Sequence, residues 1–477
     1  MAKTAAIALL CAAFSLAACR DRSGDKSKRS RPEPAAKTTA VKDLAREVKI
    51  PWISDDWAAA EKRARDEKKP IFVDLWAPWC HTCLSMKQIV MVDPSLGAYL
   101  DRFVWLEVDT DREVNAGVVE KLPIAAWPTF YVVSPAEGAP AVRARQVGSM
   151  SIGQLRELLD QGEQAHQAGL AAAGALDAST PLGMLQAGDA TAAAGDPAKA
   201  DEWYGKALAA SPPTWSRAPD VLVKQINARK DKGDLAGCAE LAMREAERTA
   251  LGMTAMVADF AATASECAAV LDVPRARLLR ARLGEAIREV LDSPESTMSV
   301  DDQSDALRVL REMAIALEDP KTARSYAVRQ RELLDRAVAA AATPYARMTY
   351  TWPRAEVYVY LEEAAKLVPE LEKLVTDLPK EYDPPHRLAY VLMKSGKYAE
   401  ARAALAKASA LAYGPRKGSM LRLAADIEQA AGDVAAEKAA RQAVIDFYTS
   451  QPPGKRRDKA LADAQAALAA VGKKKSP

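Results

Sequence analysis

Histidine is nearly missing from this chain: His81, His166 and His386 are the only three in 477 residues. A closed zinc site needs four ligands drawn from cysteine, histidine and carboxylate. The chain has one Cys-x-x-Cys pair, Cys80 and Cys83, and no second pair to complete such a site. No metal and no cofactor are expected. An excess of charge of one sign is also missing. Lysine and arginine number 66 against 64 acidic residues, a net charge of +2, so nucleic acid is excluded as a partner on electrostatic grounds. The apolar run from Ala5 to Ala18 is too short to cross a bilayer as a helix.

With 49% apolar and 27% charged residues, the chain has room for about two to four domains with ordinary cores. It opens on "MAKTAAIALLCAAFSLAAC", one lysine followed by small apolar residues, which reads as an export signal over residues 1–19. Leu16-Ala17-Ala18-Cys19 resembles the lipobox of bacterial lipoproteins, which implies cleavage before Cys19, lipid on that residue and attachment to the membrane. Arg20, where an aspartate would retain a lipoprotein at the inner membrane, implies the outer membrane of the cell envelope, facing the periplasm. The bland alternative is an ordinary signal peptide. Four arginines and two lysines against two aspartates between Arg20 and Arg31 work against translocation. Residues 20–48 are charged and poor in apolar side chains, and read as a solvated tether.

A helical pattern over Asp55 to Lys68, capped by Ser54 or Asp55, leads into strands at Ile71–Trp76, Phe103–Val108, Thr129–Val133 and Ala141–Val147. Helices are expected from Cys80, near Asn115 to Lys121, and from Ser151. This alternation, closed by a hairpin-like strand pair, predicts an α/β domain over residues 49–163 with a mixed sheet flanked by helices. From residue 169 to 475 strand signals vanish. Helical runs punctuated by glycine turns follow, in "AAGDPAKADEWYGKALAASP", "DKGDLAGCAELAMREAE", "KSGKYAEARAALAKASALAYG" and "AAGDVAAEKAARQAV". Gly195, Tyr204, Ala207 and Pro212, and again Gly396, Tyr398 and Ala401, resemble tetratricopeptide (TPR) repeats. The stretch Ser265 to Pro379 departs from that spacing. An all-α repeat domain that binds protein partners is expected here.

The residues alone leave Cys80 and Cys83 as a structural bridge or a redox centre. A bridge over two residues closes too small a loop to stabilise much. Cys80 ends a strand and begins a helix, where amides and macrodipole favour its thiolate; Cys83, one turn on, can resolve a mixed disulfide.

"VDLWAPWCHTC" resembles the signature of the thioredoxin fold. The following "VDPSLGAYLDRFVWLEVDTD" is similar to the branch that holds the C-terminal domain of DsbD-type periplasmic reductases and related lipoproteins. The resemblance implies a thiol-disulfide oxidoreductase with a redox-active Cys80–Cys83 disulfide, protein disulfide clients and a membrane electron donor of the DsbD type. It implies that Asp74 assists deprotonation of Cys83, that Pro128 is cis, and that Trp79, His81, Trp127, Pro128 and Thr129 contact the client. Gly148 matches the glycine before the last helix. His81 adds positive charge beside Cys80, which favours the reduced form. Trp127 is bulkier than the residue usual there.

Cys238 and Cys267 are expected as free buried thiols, although their spacing would let neighbouring helical hairpins be stapled. The aromatics of "MTYTWPRAEVYVYL" fit either a peptide groove or a core, and His166 and His386 have no expected role. The rival to an enzyme is an envelope adaptor whose cysteine pair is redox-gated or vestigial.

Overall fold

The computed structural model describes residues 47–124, 126–136, 140–170, 177–246 and 251–472. The expected signal, Cys19 and nearly all of the tether lie outside them. Residues Glu47–Pro477 form one compact unit.

The sheet part runs β1 (Ile53–Ser54), α1 (Trp57–Glu67), β2 (Ile71–Trp76), α2 (His81–Ser85), β3 (Val104–Asp109), α3 (Ala116–Lys121), β4 (Thr129–Ser134), β5 (Ala141–Val147) and α4 (Ile152–Leu170). Strand order is β1-β3-β2-β4-β5. The first three strands are parallel, and β4 runs antiparallel to both β2 and β5. β2 lies at the centre, covered on both faces, and its sequence "IFVDLW" is accordingly almost unbroken apolar. Alternate side chains divide the two cores: Phe72, Trp105 and Phe130 pack with α4 on one face, while Ile71, Val73, Leu106 and Tyr131 pack with α1 and α3 on the other. Gly162 of α4 lets that helix lie against β4, because a Cβ there would fall 2.5 Å from the Val132 side chain.

The cap of α1 differs from expectation. Asp56 accepts from Ala59 N at 2.9 Å, whereas Asp55 accepts from Asp109 N and Asn115 Nδ2 and so fastens the end of β1 to that of β3.

The rest is helical: α5 (Pro181–Ala193), α6 (Pro197–Ala210), α7 (Ala218–Asp231), α8 (Leu235–Glu245), α9 (Met256–Cys267), α10 (Val273–Asp292), α11 (Val300–Ala316), α12 (Pro320–Ala340), α13 (Pro344–Met348), α14 (Thr351–Tyr360), α15 (Val368–Asp377), α16 (Asp383–Lys394), α17 (Tyr398–Leu411), α18 (Arg416–Ala431), α19 (Val434–Ser450) and α20 (Lys455–Ala470). Sequence neighbours pack against each other, as hairpins do, in α5/α6, α11/α12, α16/α17 and α18/α19. The quoted turns share one mechanism. Gly195, Gly233, Gly396 and Gly432 all take positive φ, and in three cases the following aspartate (Asp196, Asp234 or Asp433) caps the next helix. In the irregular middle Glu318 occupies the left-handed position at φ 62 and Asp319 caps α12. The turn persists there without its glycine.

Cys238 and Cys267 are bridged, with Cα atoms 5.9 Å apart and both side chains fully buried between α8 and α9, which corrects the expectation of free thiols. Helix packing brings the two positions together, and the spacing alone does not determine that packing.

The helical part joins the sheet at two places. At the open edge of β5, Asp189 of α5 accepts from Arg145 N at 3.1 Å and Lys224 of α7 donates to Arg145 O at 2.6 Å, so both backbone groups of an edge strand are satisfied. On the far side Gly414, between α17 and α18, lies flat on the Asp111 backbone, where a Cβ would fall 1.8 Å from the Asp111 carbonyl oxygen. Tyr413 donates to Asp109 at 2.5 Å and Tyr382 to Asp111 at 3.1 Å. The helices thereby reach the end of β2 where the cysteines are.

Candidate active site

β2 ends at Trp76, and Cys80 is the N-cap of α2: its sulfur accepts from Cys83 N at 3.0 Å. Cys80 and Cys83 form a disulfide with Cα atoms 5.2 Å apart, and they are 5% and 1% exposed. A sulfur that accepts from a helix-terminal amide is stabilised as the anion once the bridge opens. Ala77, Trp76, Trp79 and Trp127 pack around the pair.

The Trp127–Pro128 peptide is cis, as the resemblance implies. Trp127 meets the Trp79 ring edge-on at 5.0 Å and donates to Thr110 Oγ1 at 2.8 Å. Thr129 is fully buried and donates to the Ala126 carbonyl at 2.6 Å. Asp74 is buried on the face of β2 that carries Phe72. Its charge partner is Lys87, 3.2 Å away, which also holds Glu107 at 2.5 Å and lies over the Trp76 ring at 4.2 Å. Burial raises the Asp74 carboxyl above its ordinary range, Lys87 opposes that rise, and Oδ1 has no hydrogen-bond partner among the described residues. Such a group can take up a proton nearer neutrality than an exposed aspartate can.

The helical part covers the cysteine pair. Trp79, Cys80, His81 and Trp127 share a cavity of about 380 Å³ with Trp352 of α14, His386 and Arg387 of α16, and Arg416 of α18. Pro128 and Thr129 stand outside its wall. Arg387 donates to Trp79 O at 3.3 Å, is held by Asp383 at 2.9 Å and stacks on Trp352 at 4.3 Å. Arg416 lies 4.8 Å from the Trp79 ring centre, and the Trp79 indole donates to Asp111 at 2.8 Å. His81 Nδ1 meets Asp301 of α11 at 2.8 Å, with Asp301 itself 1% exposed. Burial works against the charged ring, but Asp301, and behind it Asp305 and Glu356, outweigh burial and hold the His81 pKa up at about 9. His81, Asp301 and Asp305 present ligand atoms within 4.8 Å of one another.

Among residues expected to do nothing special, His166 bridges Ser134 and the Lys68 carbonyl and is structural. His386 is a correction, since it lines the cavity. Burial, then Arg387, Arg416 and Arg422, depress its pKa well below the ordinary value and keep it neutral. The aromatic stretch serves both readings: Trp352 faces the cavity while Tyr358 is core. Arg387 and Arg416 carried no sequence signal, because their proximity to Cys80 depends on helices about 300 residues away.

Residues 52–135 match the family model described as thioredoxin-like. Over 77 residues the chain is 38% identical to a thioredoxin H-type of Chlamydomonas reinhardtii, spanning 16% of this chain and 64% of that protein. Over 89 residues it is 30% identical to the thiol:disulfide interchange protein DsbD of Vibrio vulnificus, covering 18% of this chain and 15% of that protein. The chain thus spans about a seventh of the length of that relative. A tetratricopeptide repeat protein from Parabacteroides merdae aligns at TM-score 0.37 and 12% identity, over 59% of this chain and 97% of that one. The segment that holds Cys80 and Cys83 is thioredoxin-like in sequence and in fold.

Proposed function

We propose that this chain is an exported, lipid-anchored thiol-disulfide oxidoreductase of the cell envelope, attached through Cys19 and acting through Cys80 and Cys83. The observation that carries the proposal is the Cys80–Cys83 disulfide at the N-cap of α2, with Cys80 in the wall of a cavity. In the reducing direction the Cys80 thiolate attacks a substrate disulfide, Cys83 displaces the substrate from the mixed disulfide, and Asp74 takes the Cys83 proton through the buried site it shares with Lys87. Two electrons pass from the dithiol to the substrate, and a DsbD-type membrane donor restores them. Trp79, Trp127 and the Pro128 loop hold the substrate, and the helical hairpins engage protein partners.

The test is redox equilibration of the full chain against graded ratios of reduced to oxidised glutathione, scoring the Cys80 and Cys83 thiols by alkylation and mass. A potential near about −270 mV marks a reductase, and one near about −120 to −180 mV marks an oxidase or isomerase. A pair that never equilibrates ends the proposal. Cys83→Ser is expected to accumulate mixed disulfides through Cys80. A redox-gated adaptor is a second reading, favoured by the cover that Trp352 and Arg387 place over Cys80. It requires Cys80→Ala to keep the partners of the wild type.

A further inference from the structure

The cavity at Cys80 has a particular size and charge. At about 380 Å³ it lies at the small end of the range for small-molecule ligand sites. Cys80 is 5% exposed and is reached through this cavity, while Cys83 is not part of its wall. Two guanidinium groups enter that wall, and they are unequally satisfied. Arg387 has a close carboxylate in Asp383, at 2.9 and 3.2 Å. Arg416 is 3.8 Å from the same carboxylate, donates to the neutral ring of His386 at 3.4 Å, and has a buried Nε with no hydrogen-bond partner among the described residues. Burial and the neighbouring Arg387 lower the Arg416 pKa to about 10, and the same field keeps His386 uncharged. A buried cation without a full complement of acceptors is costly unless an anion completes it.

We propose that this cavity binds a small carboxylate-bearing thiol, and its disulfide, with the carboxylate on Arg416 and the sulfur at Cys80. The inference rests on the redox reading of the cysteine pair and names the substrate class of that site. Trp79, Trp127 and Trp352 supply apolar walls for the ligand's chain. In the direction that reduces the protein, a bound thiolate attacks Cys80 Sγ. The Cys80–Cys83 bond breaks, the ligand is joined to Cys80, and Cys83 leaves as a thiolate that takes a proton. A second thiolate of the same class attacks the ligand's sulfur, forming the small disulfide and releasing Cys80. Two electrons enter the protein, and the two thiol protons of the ligands balance those gained by the cysteines.

The test follows the rate at which oxidised full-length protein yields alkylatable Cys80 and Cys83. The probes are reduced glutathione, which carries two carboxylates, and uncharged 2-mercaptoethanol, at matched thiolate concentration. Glutathione is expected to react with saturation and about tenfold faster, the preference one charge-assisted contact provides. Arg416→Gln should abolish most of that ratio, and Arg416→Lys, which keeps the charge, should retain more of it. The ratio cancels any general change in the reactivity of the cysteines. High salt should erode it in the wild type. A wild-type ratio near one overturns the inference, as does equal loss in both variants or a cysteine-containing decapeptide that outruns glutathione. Equilibration at a defined potential without glutathione preference defeats this inference alone, whereas a pair that no thiol reduces defeats the redox reading with it.

Discussion

Asp301→Asn removes the closest charge partner of His81 and changes little in volume. In the wild type His81 is held as an imidazolium up to about pH 9 by Asp301 at 2.8 Å, with Asp305 and Glu356 behind it. The gap between about 9 and the ordinary 6.5 corresponds to about 3 kcal/mol in favour of the charged ring. His81 is 21% exposed, so screening removes only part of this. A close opposite charge accounts for about one to three pKa units, so the variant should titrate at about 7. Proton NMR of the imidazole protons measures this directly, and a chain with three histidines can be assigned with His81→Gln. The stability consequence has a fixed sign. A histidine whose folded pKa is raised contributes fully below 6.5, and the contribution fades as pH rises through about 9. Urea unfolding should therefore show the wild type losing up to about 3 kcal/mol between pH 6.5 and 9, with Asp301→Asn nearly flat over that window. Burial, with Asp302 and Asp305, raises Asp259 to about 7; that carboxyl destabilises as pH climbs from about 4 to 7, a range that meets the His81 window only at its lower edge. Identical His81 titration in wild type and variant, or a wild-type value below 7, would refute the assignment of Asp301 as its electrostatic anchor.

Gly414→Ala places a Cβ into the Asp111 carbonyl at a residue with φ +51, so the α17–α18 loop must lift from the sheet part. Alkylation of reduced Cys80 should then accelerate at least several-fold, and unchanged alkylation would show that this loop does not hold the cover down. Replacing both Cys238 and Cys267 by serine opens a bridge with sequence separation 29 and should lower stability by about 3 to 4 kcal/mol in the loop-entropy description. Denaturant unfolding monitored on the helical signal checks it, and a loss under 1 kcal/mol would count against the staple, taking about 2 kcal/mol as the low end of typical values. Asp74→Asn should slow resolution of a Cys80 mixed disulfide by about a hundredfold at neutral pH and flatten its pH profile. An unaltered profile would leave Asp74 a structural partner of Lys87.

The sheet part was legible because its signals are local. Ile71–Trp76 and Ala141–Val147 begin and end where apolar patterning places them, and the glycine turns at Gly195, Gly233 and Gly432 carry their own capping aspartates. Cys80, Cys83 and the cis Pro128 were legible through spacing and resemblance. The wall opposite Cys80 was not. His81 meets Asp301 across 220 positions, Tyr382 meets Asp111 across 271 and Arg387 meets Trp79 across 308. No periodicity encodes which face of α16 or α18 turns toward a strand end that far away. The Asp55 misassignment has a smaller cause: two adjacent aspartates both suit a cap, and only the pairing of β1 with β3 decides which is left free to do it.

Trp79 precedes Cys80 and is gripped from four sides: its carbonyl by Arg387, its indole N–H by Asp111, and its ring by Arg416 and Trp127. Two of those contacts come from the helical hairpins. Opening or closing the adjacent disulfide therefore cannot be energetically independent of how those hairpins sit, and thermodynamic reciprocity makes the dependence two-way. Any protein that binds the hairpins more tightly in one oxidation state must move the midpoint of the cysteine couple toward that state by the same free energy. At about 30 mV for each 1.4 kcal/mol, a tenfold binding preference becomes a measurable change in electron affinity at a bond the partner never touches.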